Sequence, residues 1–366
     1  MSQTSYKVIQ WATGTVGKAA LKYFIENPVT ELVGVLVTDP AKVGKDAGDI
    51  VGLPRTGVLC TDDVDAIVAM EADCVLFAPS MMTPPIDMVC RLLASGKNVV
   101  SPAGPFLPNK FIPEHAARVE AACREGASSF HGCGIHPGFA GDILPLTLAR
   151  LMSRIDCIEL SEVIDKVRNP MIYTEIMGFG ADCDELLAKP RRSPETYKHF
   201  YSSMSMIAEG LGVEIDEVTV KFEVAKALVD IEHQFGLVKA GTCGGQHYEW
   251  TAWSGGKPLI VYHFYWQLGS EIEPRWEEGE AKYRVRIHGD PPLECHLMAM
   301  PDADGRHPFL GIPWTGLVGC TVVPQVCDAP PGVVSHLDLG VGLGKPAKFA
   351  LPRISSNKTR GGVGLG

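Results

Sequence analysis

Apolar residues in the first third of the chain fall in short unbroken runs, separated by longer stretches of helical spacing. Lys7–Gln10, with Val8 and Ile9 at its centre, reads as a first strand. Glu31–Thr38 (ELVGVLVT) and Cys74–Ala78 (CVLFA) are apolar runs of the kind buried on both faces of a parallel sheet, and Lys97–Ser101 (KNVVS) reads as a fifth strand. Val58–Cys60 and Ser129–Gly132 read as a third and a sixth strand. Between them, Lys18–Glu26, Asp65–Met70, Pro84–Ser95 and Pro113–Glu125 carry helical spacing, the last two stopped by Gly96 and Gly126. Strands alternating with helices imply crossover connections and a parallel sheet.

The pattern changes near His136–Asp142. Longer extended runs follow at Cys157–Asp165, Ala225–Asp230, His247–Ser254, Leu259–Trp266, Tyr283–Gly289 and Glu294–Met300. They predict an antiparallel or mixed sheet with hairpins, one of them turning at Ser254-Gly255-Gly256-Lys257. Pro194–Leu211 reads as a helix, and Trp314–Val326 as a last one ended by Pro330–Pro331. The tail after Ile354 is Gly-rich and basic, and is expected to be loosely held.

The turn after the first strand carries the sharpest chemical signal. Aligned to G-x-G-x-x-G, it reads Ala12-Thr13-Gly14-Thr15-Val16-Gly17, directly after a strand and before a helix, the context a dinucleotide fingerprint requires. Gly14 lets the backbone approach a pyrophosphate, Gly17 lets the helix pack close, and the helix N-terminus offers N–H groups and a positive dipole end. Ala12 stands where the motif has its first Gly. At the end of the second strand, Thr38 and Asp39 occupy the position that holds ribose hydroxyls, and Lys42 and Lys45 follow. A carboxylate there suits NAD, or merely caps the turn before Pro40; a Lys suits the 2′-phosphate of NADP. The balance leans to NADP, with NAD as the alternative. Ala78, Pro79 and Ser80 after the fourth strand, and Ser101 and Pro102 after the fifth, complete the candidate cofactor set.

Four blocks together resemble one family: VIQWATGTVGKAAL from Val8, DPAKVGKDAGDIVG from Asp39, FHGCGIHPGFAGDILPL from Phe130, and MGFG at Met177–Gly180. The chain, over roughly residues 5–345, resembles the dihydrodipicolinate-reductase-like group that includes 2,4-diaminopentanoate dehydrogenases and related bacterial amine dehydrogenases. The resemblance implies an α/β protein with an N-terminal Rossmann-type parallel sheet, a C-terminal α+β domain for substrate and dimerisation, and a homodimer. The corresponding bounds are 1–141, 142–313, and 314–366 for a helix and tail returning toward the first domain. Family members that aminate ketones reductively place an acidic residue in the loop after the fifth strand. Here that loop, Ser101–Pro108, reads SPAGPFLP and has no carboxylate, and the His-His…Lys signature of dihydrodipicolinate reductases is missing. Gly104 and Pro105 cannot exchange protons, so amination is expected to be weak.

Other residues are candidates for the acid. His136 follows the sixth strand, at the sheet edge where ligands bind in such folds, and either donates a proton to a carbonyl oxygen or only orders its loop. Tyr173 and Glu175 precede MGFG and line the cleft, or Glu175 is simply solvated. Asp142 reads best as a helix cap and His263 as a core or interface residue. Trp250, Trp253, Tyr262, Phe264 and Trp266 form either an aromatic pocket for a bulky apolar substrate or ordinary sheet core.

Composition narrows the classes. The chain has 366 residues, enough for two domains, and a formal net charge of −10 without basic runs, which disfavours nucleic acid and anionic membranes. No apolar stretch reaches the ~18 residues needed to span a bilayer, and no secretion signal is read at the N-terminus. The 11 Cys are scattered without CxxC or paired ligand spacing, which points to thiols in a reducing cytoplasm and to no metal. The expected function is hydride transfer between NADP(H), or NAD(H), and the carbonyl or imine carbon of a small, largely apolar molecule. The alternative is a dinucleotide-binding protein that has lost turnover and serves as sensor or scaffold.

Overall fold

The computed structural model describes residues 5–79, 86–104, 113–167, 171–190, 199–233, 236–276, 282–305 and 310–340. The chain forms two compact units, one of residues 1–134 and 313–366, the other of residues 135–312.

The first unit begins with β1 (Tyr6–Trp11), α1 (Thr15–Glu26), β2 (Thr30–Leu36), α2 (Ala47–Val51), β3 (Cys60–Thr61), α3 (Val64–Ala69), β4 (Cys74–Phe77), α4 (Ile86–Ala94), β5 (Asn98–Ser101), α5 (Pro113–Gly126) and β6 (Ser129–Gly132). All four residues of β4 are buried, as its unbroken apolar run requires. Each helix turns one stripe inward: Gly17, Ala20, Leu21 and Phe24 on α1, and Ile86, Val89, Leu92 and Leu93 on α4. Gly126 does not stop α5 by a left-handed turn. A Cβ there would lie 1.9 Å from the Leu93 carbonyl oxygen, so it serves close approach, and Ala127 takes the positive φ of 49°.

The second unit runs through α6 (Leu144–Ala149), β7 (Arg154–Asp165), α7 (Met171–Met177), α8 (Cys183–Ala188), α9 (Phe200–Leu211), β8 (Glu217–Ala227), β9 (Ile231–His233), β10 (Gly236–Val238), β11 (Cys243–Ser254), β12 (Lys257–Gln267), β13 (Ile272–Glu273), β14 (Lys282–Asp290) and β15 (Leu293–Leu297). Its seven-stranded sheet has the order β13-β8-β11-β12-β7-β14-β15, antiparallel except for β12 against β7. The β11–β12 hairpin pairs Ser254 with Lys257 across Gly255 and Gly256, both at positive φ (57° and 73°), as a tight primed turn demands. The strand expected at Ala225–Asp230 lies instead at Glu217–Ala227, where Val218, Val220, Phe222 and Val224 alternate with polar residues.

The chain then returns to the first unit through α10 (Gly311–Thr321), α11 (Val323–Asp328), β16 (Gly332–Val333) and α12 (His336–Leu339). The single helix expected at Trp314–Val326 is broken near Val322. Pro324 lies at the start of α11, where its missing N–H is harmless but would not be in a helix interior. Pro330–Pro331 is followed by a strand: β16 pairs with β6 and completes a fully parallel sheet of order β16-β6-β5-β4-β1-β2-β3. Cys320, Val322, Val323, Val326 and Val334 join Tyr6, Val8 and Phe24 in one core cluster.

Candidate functional site

Parallel pairing of β2, β1, β4 and β5 sets their carboxyl ends side by side, with the change of winding direction between β1 and β4. Ala12–Gly17, Thr38–Asp39, Ala78–Pro79 and Ser101–Pro102 therefore share one edge, where this class of sheet binds ligands. Ser80 lies outside the described residues. Gly14 is the N-cap of α1 and is exposed, and a Cβ on it would meet nothing within 4 Å, so the space above it is open. A Cβ on Gly17 would lie 2.1 Å from the Ala12 carbonyl oxygen, so the loop folds back on the helix only over glycine. Ala12 itself has φ 69°, the left-handed region that the missing glycine would occupy without strain. The amide of Gln10, buried in β1, donates to the Trp11 and Ala12 carbonyl oxygens at 3.1 and 2.9 Å and braces this bend.

Asp39 caps its turn, accepting from the Ala41 N–H at 3.0 Å, while its side chain stays half exposed. Lys42 reaches back across the edge: its Nζ donates to the carbonyl and Oγ1 of Thr13, each at 3.2 Å, and lies 3.9 Å from Asp39. An ammonium is thus held on the glycine turn itself, while Lys45 is exposed. In the same segment, Asp46 accepts from the N–H groups of Gly48, Thr56 and Gly57, and bonds led by that from Thr56 hold its carboxyl below the usual range. After β5, Ser101 Oγ donates to the Gly104 carbonyl, and Gly104 is buried with φ 87°. Residues 105–108 lie outside the described residues.

His136 belongs to the second unit. β6 ends at Gly132, and the His136 ring is packed among Phe200, Tyr262 and Phe264 with centroids 4.7, 5.0 and 5.2 Å away. Its Nδ1 faces Glu162 Oε2 at 3.4 Å, and its Nε2 has no hydrogen-bond partner among the described residues. Glu162 is buried and accepts from the Trp266 indole at 2.9 Å. Burial opposes its ionisation, but His136, Lys166 and Trp266 outweigh that and leave its carboxyl below the usual range. The block around His136 is a packing knot: a Cβ on Gly141 would lie 2.5 Å from His136 Cδ2 and 2.6 Å from Ser203 Oγ. Asp142 is not a helix cap. It is buried, accepting from Gly138 N–H at 3.0 Å and Ser203 Oγ at 2.7 Å, while the Tyr262 hydroxyl donates to the Gly141 carbonyl.

The aromatic stripe is core rather than an open pocket. Trp250, Tyr262, Phe264 and Trp266 are buried, with Phe200 and Tyr201 of α9 against Phe264 and Trp250, and Trp253 lies half-buried near the hairpin. His263 points to the opposite face. There Glu223, His247 and His263 form a chain with separations of 2.7 and 3.1 Å, and burial, with the charge of His247, depresses the His263 pKa. Glu175 is exposed on α7; Tyr173 lies on the same helix, its side chain outside the described residues. MGFG docks on β11, the Met177 carbonyl accepting from Gln246 Nε2 and Gly180 N–H donating to Cys243. The sequence reading passed over Gln10 and Glu162. Glu162 had a signal: it shares strand parity with the buried Ile158, Leu160 and Ile164.

No disulfide joins any of the eleven cysteines. Among the described residues no helix is long and apolar enough to cross a membrane.

Residues 139–348 match the model of the 2,4-diaminopentanoate dehydrogenase C-terminal domain. The chain is 30% identical over 347 residues to an amine dehydrogenase of Streptomyces virginiae, covering 90% of this chain and 95% of that protein. The solved amine dehydrogenase of Mycobacterium smegmatis superposes with a TM-score of 0.76 at 17% identity, over 94% of this chain and 99% of that one. A biliverdin reductase of Synechocystis sp. PCC 6803, solved with biliverdin and NADP+, shares the fold at a TM-score of 0.50 and 13% identity, over 95% of each chain.

Proposed function

The chain belongs to the 2,4-diaminopentanoate dehydrogenase family and is an NAD(P)-dependent oxidoreductase, and from that premise we propose that it transfers hydride between NADP(H) and the carbonyl or imine carbon of a small, largely apolar molecule. NAD(H) is the alternative cofactor. The observation that carries the cofactor half is the glycine turn, open above Gly14 and closed beneath Gly17. Thr15, Val16 and Gly17 would turn the first N–H groups of α1 toward the pyrophosphate. Thr38 and Asp39 would face the ribose, with Lys42 beside a 2′-phosphate, and Ala78, Pro79, Ser80, Ser101 and Pro102 would border the rest. When bound, the nicotinamide supplies or accepts the hydride at its C4.

On the substrate side, the pairing of His136 with Glu162 supports His136 as proton donor. A carboxylate at Nδ1 would orient the ring and leave Nε2 to pass a proton to the oxygen of a carbonyl as its carbon takes hydride. Tyr173 and Glu175 are the alternative donors. The loop after β5 has no carboxylate, so condensation with ammonia lacks its proton carrier, and a preformed carbonyl is the favoured substrate. The second unit would carry the substrate and the interface of a homodimer.

The test is NADPH oxidation with a panel of aldehydes and ketones, with and without ammonia. The expected result is ammonia-independent turnover that falls roughly 10²–10⁴-fold in His136→Gln. Robust ammonia-dependent turnover that survives in His136→Gln would overturn the reading and move the acid to Glu175.

A further inference from the structure

We propose that His131, Cys133 and His336 form a three-coordinate site for a soft monovalent metal ion, Cu(I), inside the first unit. None of the three residues belongs to the cofactor turn or to the His136–Glu162 pair, and the proposal does not depend on the proposed function. One ligand atom from each residue lies within 4.8 Å of the other two, and all three residues are buried. An ion with nitrogen ligands at ~2.0 Å and sulfur at ~2.3 Å would draw these atoms to roughly 3.5 Å of one another, within reach of small rotations. The imidazoles of His131 and His336 already meet edge to face at 4.6 Å.

The decisive observation is the state of His131. Its Nδ1 lies 2.8 Å from the Val334 carbonyl oxygen, so Nδ1 carries the proton and donates it. Nε2 is then a lone pair, and it has no hydrogen-bond partner among the described residues in a ring only 1% exposed. A buried acceptor left without a donor costs about 1–3 kcal/mol. A metal ion would take up that lone pair. A ligating imidazole whose other nitrogen donates to a backbone carbonyl is the arrangement that fixes the tautomer for coordination.

Charge selects the ion. Two neutral imidazoles and one thiolate carry −1, which a monovalent ion cancels. A divalent ion would leave a net positive charge among Tyr6, Val8, Val100, Val323, Val326 and Val334, and uncompensated charge in such a place is costly. The cluster includes no carboxylate among the described residues, and nearby Asp338 is engaged in the capping box with Ser335. Cys320 is not among the three residues whose ligand atoms converge. Binding exchanges one proton for the metal, Cys133–SH and Cu(I) giving Cys133–S–Cu and H+. The ion would tie α12, through His336, to β6 and Cys133 just beyond it.

The test uses the full-length reduced protein, Cu(I) in competition with bicinchoninate, and Zn(II) as comparator. The expected result is one tight equivalent of Cu(I), with a mixed nitrogen and sulfur shell in X-ray absorption. Cys133→Ala and His336→Gln should each weaken it by more than the roughly 10–100-fold that loss of an outer-shell partner costs. Equal uptake in both variants, or an all-sulfur shell from thiols such as Cys90 and Cys295, would overturn the site. One equivalent of Zn(II) held in preference to Cu(I) would overturn the charge argument.

Discussion

The two large sheets have seven strands each among the described residues, and they use them in opposite ways. The first is fully parallel and covered on both faces, so its chemistry can sit only at the strand ends. The second is mixed and two-faced: one face buries Trp250, Tyr262, Phe264 and Trp266, and the other carries the Glu223–His247–His263 chain. In the first, the proposed function rests on a few backbone positions, and glycine marks them. In the second, it rests on a buried polar residue within an aromatic core, whose residue type alone does not announce it.

The largest effect should come from the backbone positions. Gly14→Asp puts a carboxylate into open space, so the fold should survive while a pyrophosphate is repelled, with NADPH affinity falling at least roughly 100-fold. Nicotinamide fluorescence titration beside thermal unfolding checks both halves. Gly17→Ala should instead damage the loop, because its Cβ would lie 2.1 Å from the Ala12 carbonyl oxygen. If the two variants behaved alike, the distinction between an open and a closed glycine would fail.

The same contrast explains what was legible in the sequence. The strand CVLF announced itself because burial on both faces leaves no polar position. The glycine turn was legible from spacing, though not that Ala12 would accept a positive φ or that Lys42 would fold onto Thr13. β16 was hidden by two prolines and its length of two residues, since pairing with β6 depends on a neighbour far away in the chain. GIHPG shows in the sequence only as a turn after β6. What captures the His136 ring is the cage of Phe200, Tyr262 and Phe264, a set no local pattern links to it.

In the second unit the next effect is on pH dependence. The Glu162 carboxyl is held below the ordinary value of 4.5 in the folded protein. The stability from its ionisation is therefore complete above about pH 4.5 and is lost as pH falls through the lower folded value. Trp266 bonds directly to Glu162, so its fluorescence should report acid unfolding there. Glu162→Gln should flatten the profile in that window; an unchanged profile would show that the pair with His136 stores no ionic stabilisation.

Smaller effects sharpen the first unit. Lys42→Ala should weaken NADPH roughly tenfold more than NADH, the ratio that about 1.4 kcal/mol corresponds to. Equal losses by titration would remove the 2′-phosphate from the account. Ala12→Gly should raise stability by about 0.5–1 kcal/mol in denaturant unfolding, by relieving the left-handed strain at φ 69°. Pro105→Glu, rather than a change at Gly104 with its φ of 87°, is the substitution expected to raise ammonia-dependent turnover.

The central claim is that hydride passes between the nicotinamide and a substrate carbon. The most direct measurement is turnover of NADPH deuterated at C4 with an aldehyde or ketone that the panel identifies as a substrate. The account predicts deuterium from one face of the nicotinamide on the product carbon, and none reaching it from solvent D2O. NADPH consumption that leaves the product carbon unlabelled, or that labels it from D2O, would contradict it.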